Sequence, residues 1–168
     1  MNMTVSAARP EERQLLDTLL EKYNYEFSQY DLTEWDENGL FGYTWLGNYF
    51  DGTPERYAYI VRCDGKPAGF ALINNYPECA SQPCDHAVAE FFIGYPYRRQ
   101  GVGSYVMREM FARHPGTWQI KYHPRNTASM FFWNRIAKEY AYGDIQAVYG
   151  DEDYQDGSKA QVLCFRSR

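Results

Sequence analysis

Apolar residues recur along the first part of the chain at Leu15, Leu16, Leu19, Leu20, Tyr23 and Phe27, a spacing that lines one face of an α-helix. Pro10, Glu11 and Glu12 mark its start, because proline fits the first helical turn and carboxylates favour the positive end of the helix dipole. From Asp31 to Gly52 the chain reads DLTEWDENGLFGYTWLGNYFDG. Glycines, acids and aromatics mix there without a period, which predicts loop and short helix. Such a segment could roof a pocket or form a structured surface insertion. Tyr57 to Cys63 and Ala68 to Tyr76 flank Asp64-Gly65-Lys66-Pro67, the pattern of strand, turn and strand.

A second loop, Pro77 to Asp85, leads into AVAEFFIG, a short continuous apolar strand. Past the turn YPYRRQ, Val102, Tyr105, Val106, Met110 and Phe111 share one helical face, and Pro115-Gly116 ends that helix. Thr117 to Tyr122 is another strand. Asn126 can cap a helix running to about Glu139, and the tail from Asp144 holds two β-like runs around a polar turn at Asp151 to Ser158. No repeat, low-complexity tract or linker interrupts this order. The whole chain, 1–168, is read as one domain of mixed α/β (α+β) class, with a central sheet whose middle strands join through helices.

Hydrophobic residues make up 45% and charged residues 23%, the balance of a globular protein. The aromatic share is 18%, with sixteen Tyr and ten Phe, which suits a core together with an aromatic-lined pocket. A net charge of −5 speaks against a nucleic-acid partner and suits cationic substrates. No apolar run approaches the length of a membrane span, and the polar start MNMTVSAARPEER lacks the apolar core of a signal peptide, so a cytoplasmic protein with no membrane partner is expected. Cys63, Cys79, Cys84 and Cys164 do not form paired zinc spacings. Cys79, Cys84 and His86 crowd one segment but number one short of a tetrahedral set, so reduced thiols and no metal are expected.

The chemistry concentrates at Arg98-Arg99-Gln100-Gly101-Val102-Gly103. This stretch lies where a buried strand turns into a helix, so unpaired backbone N–H groups converge there and can cradle a pyrophosphate. Gly101 and Gly103 allow close approach to the backbone, and the arginines add positive charge. A dinucleotide fingerprint would need Gly or Ala where Val106 stands, and the Gly-Lys-Ser/Thr of a P-loop is missing.

Arg98, Gly101 and Gly103 fill the pattern Arg/Gln-x-x-Gly-x-Gly/Ala, and Asn126-Thr-Ala-Ser129-Met-Phe-Phe132-Trp133 stands downstream where Asn-x-x-Ala-x-x-Phe-Tyr would open the next helix. In both motifs and their order the chain resembles the GNAT superfamily of N-acetyltransferases. The resemblance implies a mixed sheet in which the strand Ala87 to Ile93 bulges and splays from Thr117 to Tyr122. It also implies acetyl-CoA as acetyl donor, with pantetheine in the opening. The implied coenzyme site comprises Phe92 and Ile93 on the strand, Arg98, Arg99, Gln100, Gly101, Val102, Gly103 and Ser104 at the turn, and Asn126, Ser129, Phe132 and Trp133 on the facing helix. A backbone N–H near Ile93 would meet the thioester carbonyl, a contact worth ~3 kcal/mol to the oxyanion in comparable sites.

Direct acetyl transfer needs a neutral amine and usually a proton for the thiolate. Trp133 replaces the tyrosine that many superfamily members use as acid, and an indole does not titrate near neutral pH. Glu90, a carboxylate inside AVAEFFIG, is the candidate catalytic base, since burial would raise its pKa. Alternation puts Glu90 and Phe92 on one strand face, opposite Phe91 and Ile93, and leaves open which face meets the cleft. His123 is a second acid or base candidate, or a capping histidine. The expected reaction is acetylation of a primary amine, of a small molecule rather than a protein, because the aromatic-acidic segment 31–52 would enclose a compact cation. The alternative is a domain that binds acyl-CoA without turnover. A homodimer is left open.

Overall fold

The computed structural model describes residues 1–168 throughout. The elements run β1 (Met3–Ala7), α1 (Arg13–Asp31), β2 (Tyr57–Cys63), β3 (Lys66–Asn74), β4 (His86–Ile93), α2 (Val102–Arg113), β5 (Thr117–Tyr122), α3 (Thr127–Tyr140), β6 (Gln146–Asp153) and β7 (Lys159–Arg166). Pro10–Glu12 forms a separate short 3-10 turn, so α1 begins one turn later than its proline signal. Within the irregular stretch 32–56 the one helical piece is a 3-10 turn at Leu46–Tyr49.

Seven strands form one sheet in the order β1-β2-β3-β4-β5-β7-β6, antiparallel except where β4 meets β5. One face packs on α2 and α3, with Val61, Ala71, Val88 and Ile93 against Val106, Met110, Trp133 and Ile136. The other face takes α1 and the 3-10 turn, with Ile60, Phe70, Leu72 and Phe92 against Leu16, Leu20 and Leu46. The three-and-four spacing along α1 does what it predicts, since Leu16 and Leu20 are completely sealed.

Two irregularities in the middle of the sheet matter for function. Leu72 faces Glu90 while the next residue, Ile73, faces Val88, which leaves Ala89 as an extra residue in β4. A bulge of this kind puts two successive side chains on the same face. Val88 therefore stays with α2 and α3, whereas Ala89 and then Phe92 pack on the α1 side, and Glu90 lies with them. The parallel ladder between β4 and β5 spans only His86–Trp118, Ala87–Gln119 and Val88–Ile120. Beyond it both strands continue unpaired with each other, and the sheet opens.

Gln119 fastens the connection between β3 and β4 across the α1 face. Its fully buried amide accepts from the Glu78 and Cys79 N–H groups at 2.8 and 3.0 Å and donates to the Cys79, Gln82 and Pro83 carbonyls at 3.0–3.3 Å. Replacing it by leucine strands several buried backbone groups, each costing about 1–3 kcal/mol. Gln119→Leu is expected to lower unfolding free energy by about 3 kcal/mol or more, measured by urea denaturation against the wild type.

Candidate active site

Gly101 caps α2 in a left-handed conformation, φ 81°, with no side-chain cap and no acidic residue in the first turn. From Arg99 to Ser104 no backbone N–H meets an acceptor within the protein, and the ladder resumes only at Tyr105, which donates to the Gly101 carbonyl. Six consecutive free amides at the positive end of a helix make a strong anion cradle. Its floor is tight, because a Cβ on Gly103 would lie 3.0 Å from the Phe132 ring.

The side chains around this cradle depart from the sequence expectation in one respect. Arg98 does not lend its charge to the turn. Its guanidinium binds both carboxylate oxygens of Glu26 at 2.8 and 2.7 Å, donates to the Ile93 carbonyl at 2.6 Å, and lies 4.1 Å over the Tyr95 ring. A bidentate pair of this quality is committed, so Arg98 ties the turn to α1. Arg99 is exposed with φ 59°, and the Gln100 side chain donates to the Pro96 carbonyl at 2.6 Å. The cation beside the first turn of α2 is instead Arg135, which donates to Ser104 Oγ at 3.1 Å and lies over Phe132.

Between cradle and opening runs the free edge of β4. Gly94 N–H bonds the Ala68 carbonyl on β3, so by two-residue alternation Phe92 also faces β3 and the backbone groups of Phe91 and Ile93 face the gap. The Phe92 ring packs on Phe70 and Tyr23 under α1. Phe92 thus backs the site and does not line it, a correction that follows from the face the bulge assigns to it. Across the gap, α3 presents Asn126, Ser129, Phe132 and Trp133 at three- and four-residue spacing. Asn126 accepts from Ser129 N–H at 3.1 Å as a helix cap, and its amide NH₂ has no internal partner. Trp133, 5% exposed, stands edge-on to Phe91 and Phe132 at 5.1 and 4.7 Å. Its indole N–H has no partner, yet His86 Nδ1 is the sole sealed side-chain polar atom without one, so the Trp133 Nε1 edge reaches solvent.

On the α1 side of the same opening Glu90 makes no ion pair. Protein surrounds its carboxylate while a narrow opening to solvent remains. Burial pushes its pKa up to about 7, against the pull of the nearby Tyr23 and Tyr43 hydroxyls and attraction by Lys121, with Glu78 adding to the rise. Tyr23 comes from α1, Tyr43 and Tyr49 from the irregular segment, and Tyr154 from the turn between β6 and β7. Burial raises all four phenols above their ordinary range, so they remain neutral donors. The segment carrying Tyr43 is anchored, since Glu21 accepts from the Phe41 and Gly42 N–H groups at 2.8 and 2.9 Å. Of the two readings of residues 31–52, the roof therefore describes Tyr43 and Tyr49, while residues 32–40 lie exposed.

His123 is fully buried, and its Nδ1 accepts from Arg125 N–H at 3.1 Å. Nε2 therefore carries the proton toward Asp156 at 3.2 Å and Ser158 at 3.0 Å. Both partners meet the same nitrogen, so this is a structural lock on the β6–β7 turn and neither a free base nor a nucleophilic triad. No group of three His, Cys, Asp or Glu side chains could hold a metal, all four cysteines are free thiols, and no helix is long and apolar enough to cross a membrane. Sequence reasoning missed Tyr23, Tyr43, Tyr49, Tyr154, Lys121 and Arg135. The signals available were an unplaced aromatic-acidic segment and a lysine inside the strand TWQIKY.

Solved structures share this fold. An acetyltransferase of the GNAT family from Streptococcus agalactiae superposes with a TM-score of 0.70 at 14% identity, covering 99% of this chain and 96% of its own. The ribosomal-protein-S18-alanine N-acetyltransferase from Escherichia coli gives 0.63 at 14%, covering 99% and 94%. The PaiA N-acetyltransferase from Thermoplasma acidophilum, solved in complex with coenzyme A, gives 0.61 at 11%, covering 99% of each chain. Among curated proteins none matches by sequence. The sequence model described as Acetyltransferase (GNAT) family matches residues 13–138, a span that contains the cradle, the opening and Glu90, and the chain belongs to this family of acetyl-CoA-dependent N-acetyltransferases.

Proposed function

We propose that the chain acetylates the primary amine of a small molecule by direct attack, with Glu90 as the proton acceptor. The observation that carries this reading is the position of Glu90, a carboxylate without an ion pair among neutral tyrosines, on the free stretch of β4 that leads into the free amides of α2. Acetyl-CoA, when bound, supplies an acyl carbon activated as a thioester. The amides from Arg99 to Ser104 hold its pyrophosphate, Asn126, Ser129, Phe132 and Trp133 line the coenzyme, and a backbone N–H at Ile93 or Phe91 faces the carbonyl oxygen. Glu90 removes a proton from the incoming ammonium, directly or through water. A pKa of about 7 suits a base that must both accept and release that proton near neutrality.

Trp133 packs on the coenzyme and gives no proton. A thiol with an ordinary pKa near ~8.5 leaves as a tolerable anion, so the site works without the usual tyrosine. The anchored roof of Tyr43 and Tyr49 over Glu90 supports a compact acceptor over a polypeptide, whose backbone needs an open groove. Thiol release from acetyl-CoA across a panel of amines and peptides tests this, and turnover confined to peptides would overturn it.

Glu90→Gln keeps size and hydrogen bonding while removing basicity. Turnover is expected to fall about 10²–10⁴-fold at neutral pH, with acetyl-CoA affinity nearly unchanged. In the wild type the carboxylate is the active form, so this contribution rises through pH 7 and is lost below it. Glu90→Gln should lose that limb and recover rate only as the amine deprotonates itself, and superimposable pH profiles would remove Glu90 from the mechanism.

Two further substitutions test the coenzyme side. Trp133→Phe should retain most turnover at saturating acetyl-CoA with a modest change in affinity, because an aromatic ring still packs against Phe91; steady-state kinetics check this. Gly103→Val forces the Phe132 ring aside and narrows the cradle, so acetyl-CoA affinity measured by calorimetry should drop about tenfold or more, a loss of ~1.4 kcal/mol.

A further inference from the structure

The parallel ladder ends at Val88–Ile120. The next residue of β5 is Lys121, and the bulge turns the next side chains of β4, Ala89 and Glu90, to the face that Lys121 shares. Glu90 and Lys121 thus flank the first unpaired step of the opening. Lys121 does not hang free there. It stays in the β5–β7 ladder opposite Val162, its ammonium lies 3.1 Å from the Glu78 carboxylate, and it sits 5.6 Å from the centre of the Tyr154 ring. Glu78 in turn is fixed at both backbone groups, its N–H donating to Gln119 and its carbonyl accepting from Asp151 N–H, each at 2.8 Å. So much restraint on a lysine beside a reactive carboxylate is more than sheet stability requires, since a half-exposed ion pair contributes little by itself.

We infer that Lys121 is a positioning residue for acetyl transfer: clamped by Glu78 and Tyr154 at the lip of β5, its ammonium sets the charge state in which Glu90 meets the incoming amine. The inference rests on the reading of Glu90 as proton acceptor. The groups facing Glu90 are Tyr23 from α1, Tyr43 and Tyr49 from the roof, Glu78 from the β3–β4 connection, Lys121 from β5 and Tyr154 from the β6–β7 turn. The phenols stay neutral, which leaves Lys121 and Glu78 as the two charges. They act in opposite directions, Lys121 favouring the carboxylate and Glu78 the protonated acid. Because Glu78 also holds Lys121, the two charges trim in opposite directions a pKa that burial has already raised.

Opposite displacements are the signature. The Glu90 carboxyl is followed by ¹³C titration, its resonance identified by its loss in Glu90→Gln. Lys121→Met should move the midpoint upward by about one pH unit and Glu78→Gln downward, as expected for losing a nearby opposite or like charge. Lys121→Arg should hold the wild-type midpoint. The acid limb of turnover with an established amine should move in step, so that Lys121→Met loses about tenfold in rate at pH 6 and little at pH 8.5. A purely structural lysine would lower rate equally at all pH values and leave the midpoint in place, and that result, or displacement of both variants in one direction, overturns the inference. Should Lys121→Met not fold, Glu78→Gln alone decides, because an unmoved or raised midpoint contradicts the assignment. If the midpoints move as expected while Glu90→Gln keeps full turnover, Lys121 does tune the carboxyl and it is the reading of Glu90 as proton acceptor that fails.

Discussion

A sheet whose neighbouring strands hydrogen-bond along their whole length offers a ligand no backbone and no entrance. Here that closure fails in the middle of the sheet, between β4 and β5. β4 and β5 pair for three residues and then part, and the extra residue Ala89 turns Glu90 onto the α1 face while Val88 stays in the opposite core. The gap exposes the backbone groups of Phe91 and Ile93. The bulge supplies a carboxylate beside them. Because α2 follows β4 directly, the free amides at its start lie at the end of the same strand. The bulge, the free edge of β4 and the unpaired amides of α2 therefore lie along one stretch of chain.

Electrostatics then divides the opening. A protein of net charge −5 offers an anion the backbone dipoles at the start of α2, whose pull does not depend on overall charge. Arg98 is spent elsewhere, on Glu26, and this pair braces the turn against α1. On the acceptor side the balance reverses, with Glu90 and Glu78 facing a single lysine among neutral phenols. An ammonium is favoured on that side and a phosphate on the other.

What could be read from the sequence was local. The helical spacing of the leucines in α1, the Asp64-Gly65 turn, the Asn126 cap and the glycines of the cradle each declare themselves within a few residues, because their cause is a backbone preference or a short-range period. The bulge does not. AVAEFFIG is apolar on both sides of Glu90, so no alternation reveals that one residue is extra. Tyr23 reads as a core position of α1 and turns out to cage Glu90. Arg98 reads as a phosphate ligand because its partner, Glu26, lies seventy-two residues earlier. His123 reads as an acid or base candidate or a capping histidine, and its lock is hidden because Asp156 and Ser158 arrive from the far end of the chain. These contacts are set by topology, which a single sequence carries only indirectly.

The same burial that raises the Glu90 pKa works against the fold. A carboxyl whose pKa is raised in the folded state, to about 7 from an ordinary 4.5, binds more proton folded than unfolded between those values. Stability contributed by the protonated form is therefore present below pH 4.5 and lost as pH rises through 7. Glu12 behaves oppositely. Backbone hydrogen bonding from Arg9, then the Arg62 and Arg9 guanidinium groups, hold it down to about 2 despite burial, so it stabilises the fold above pH 4.5 and loses that contribution as pH falls toward 2. Glu12 sits at a helix entrance with two arginines, where charge strengthens structure. Glu90 sits where β4 and β5 part, with no ion-pair partner, and its charge is disfavoured by burial. The Gln119 bonds fix the β3–β4 connection and the Arg98–Glu26 pair fixes the turn into α2, so the segments before and after β4 are both held in place.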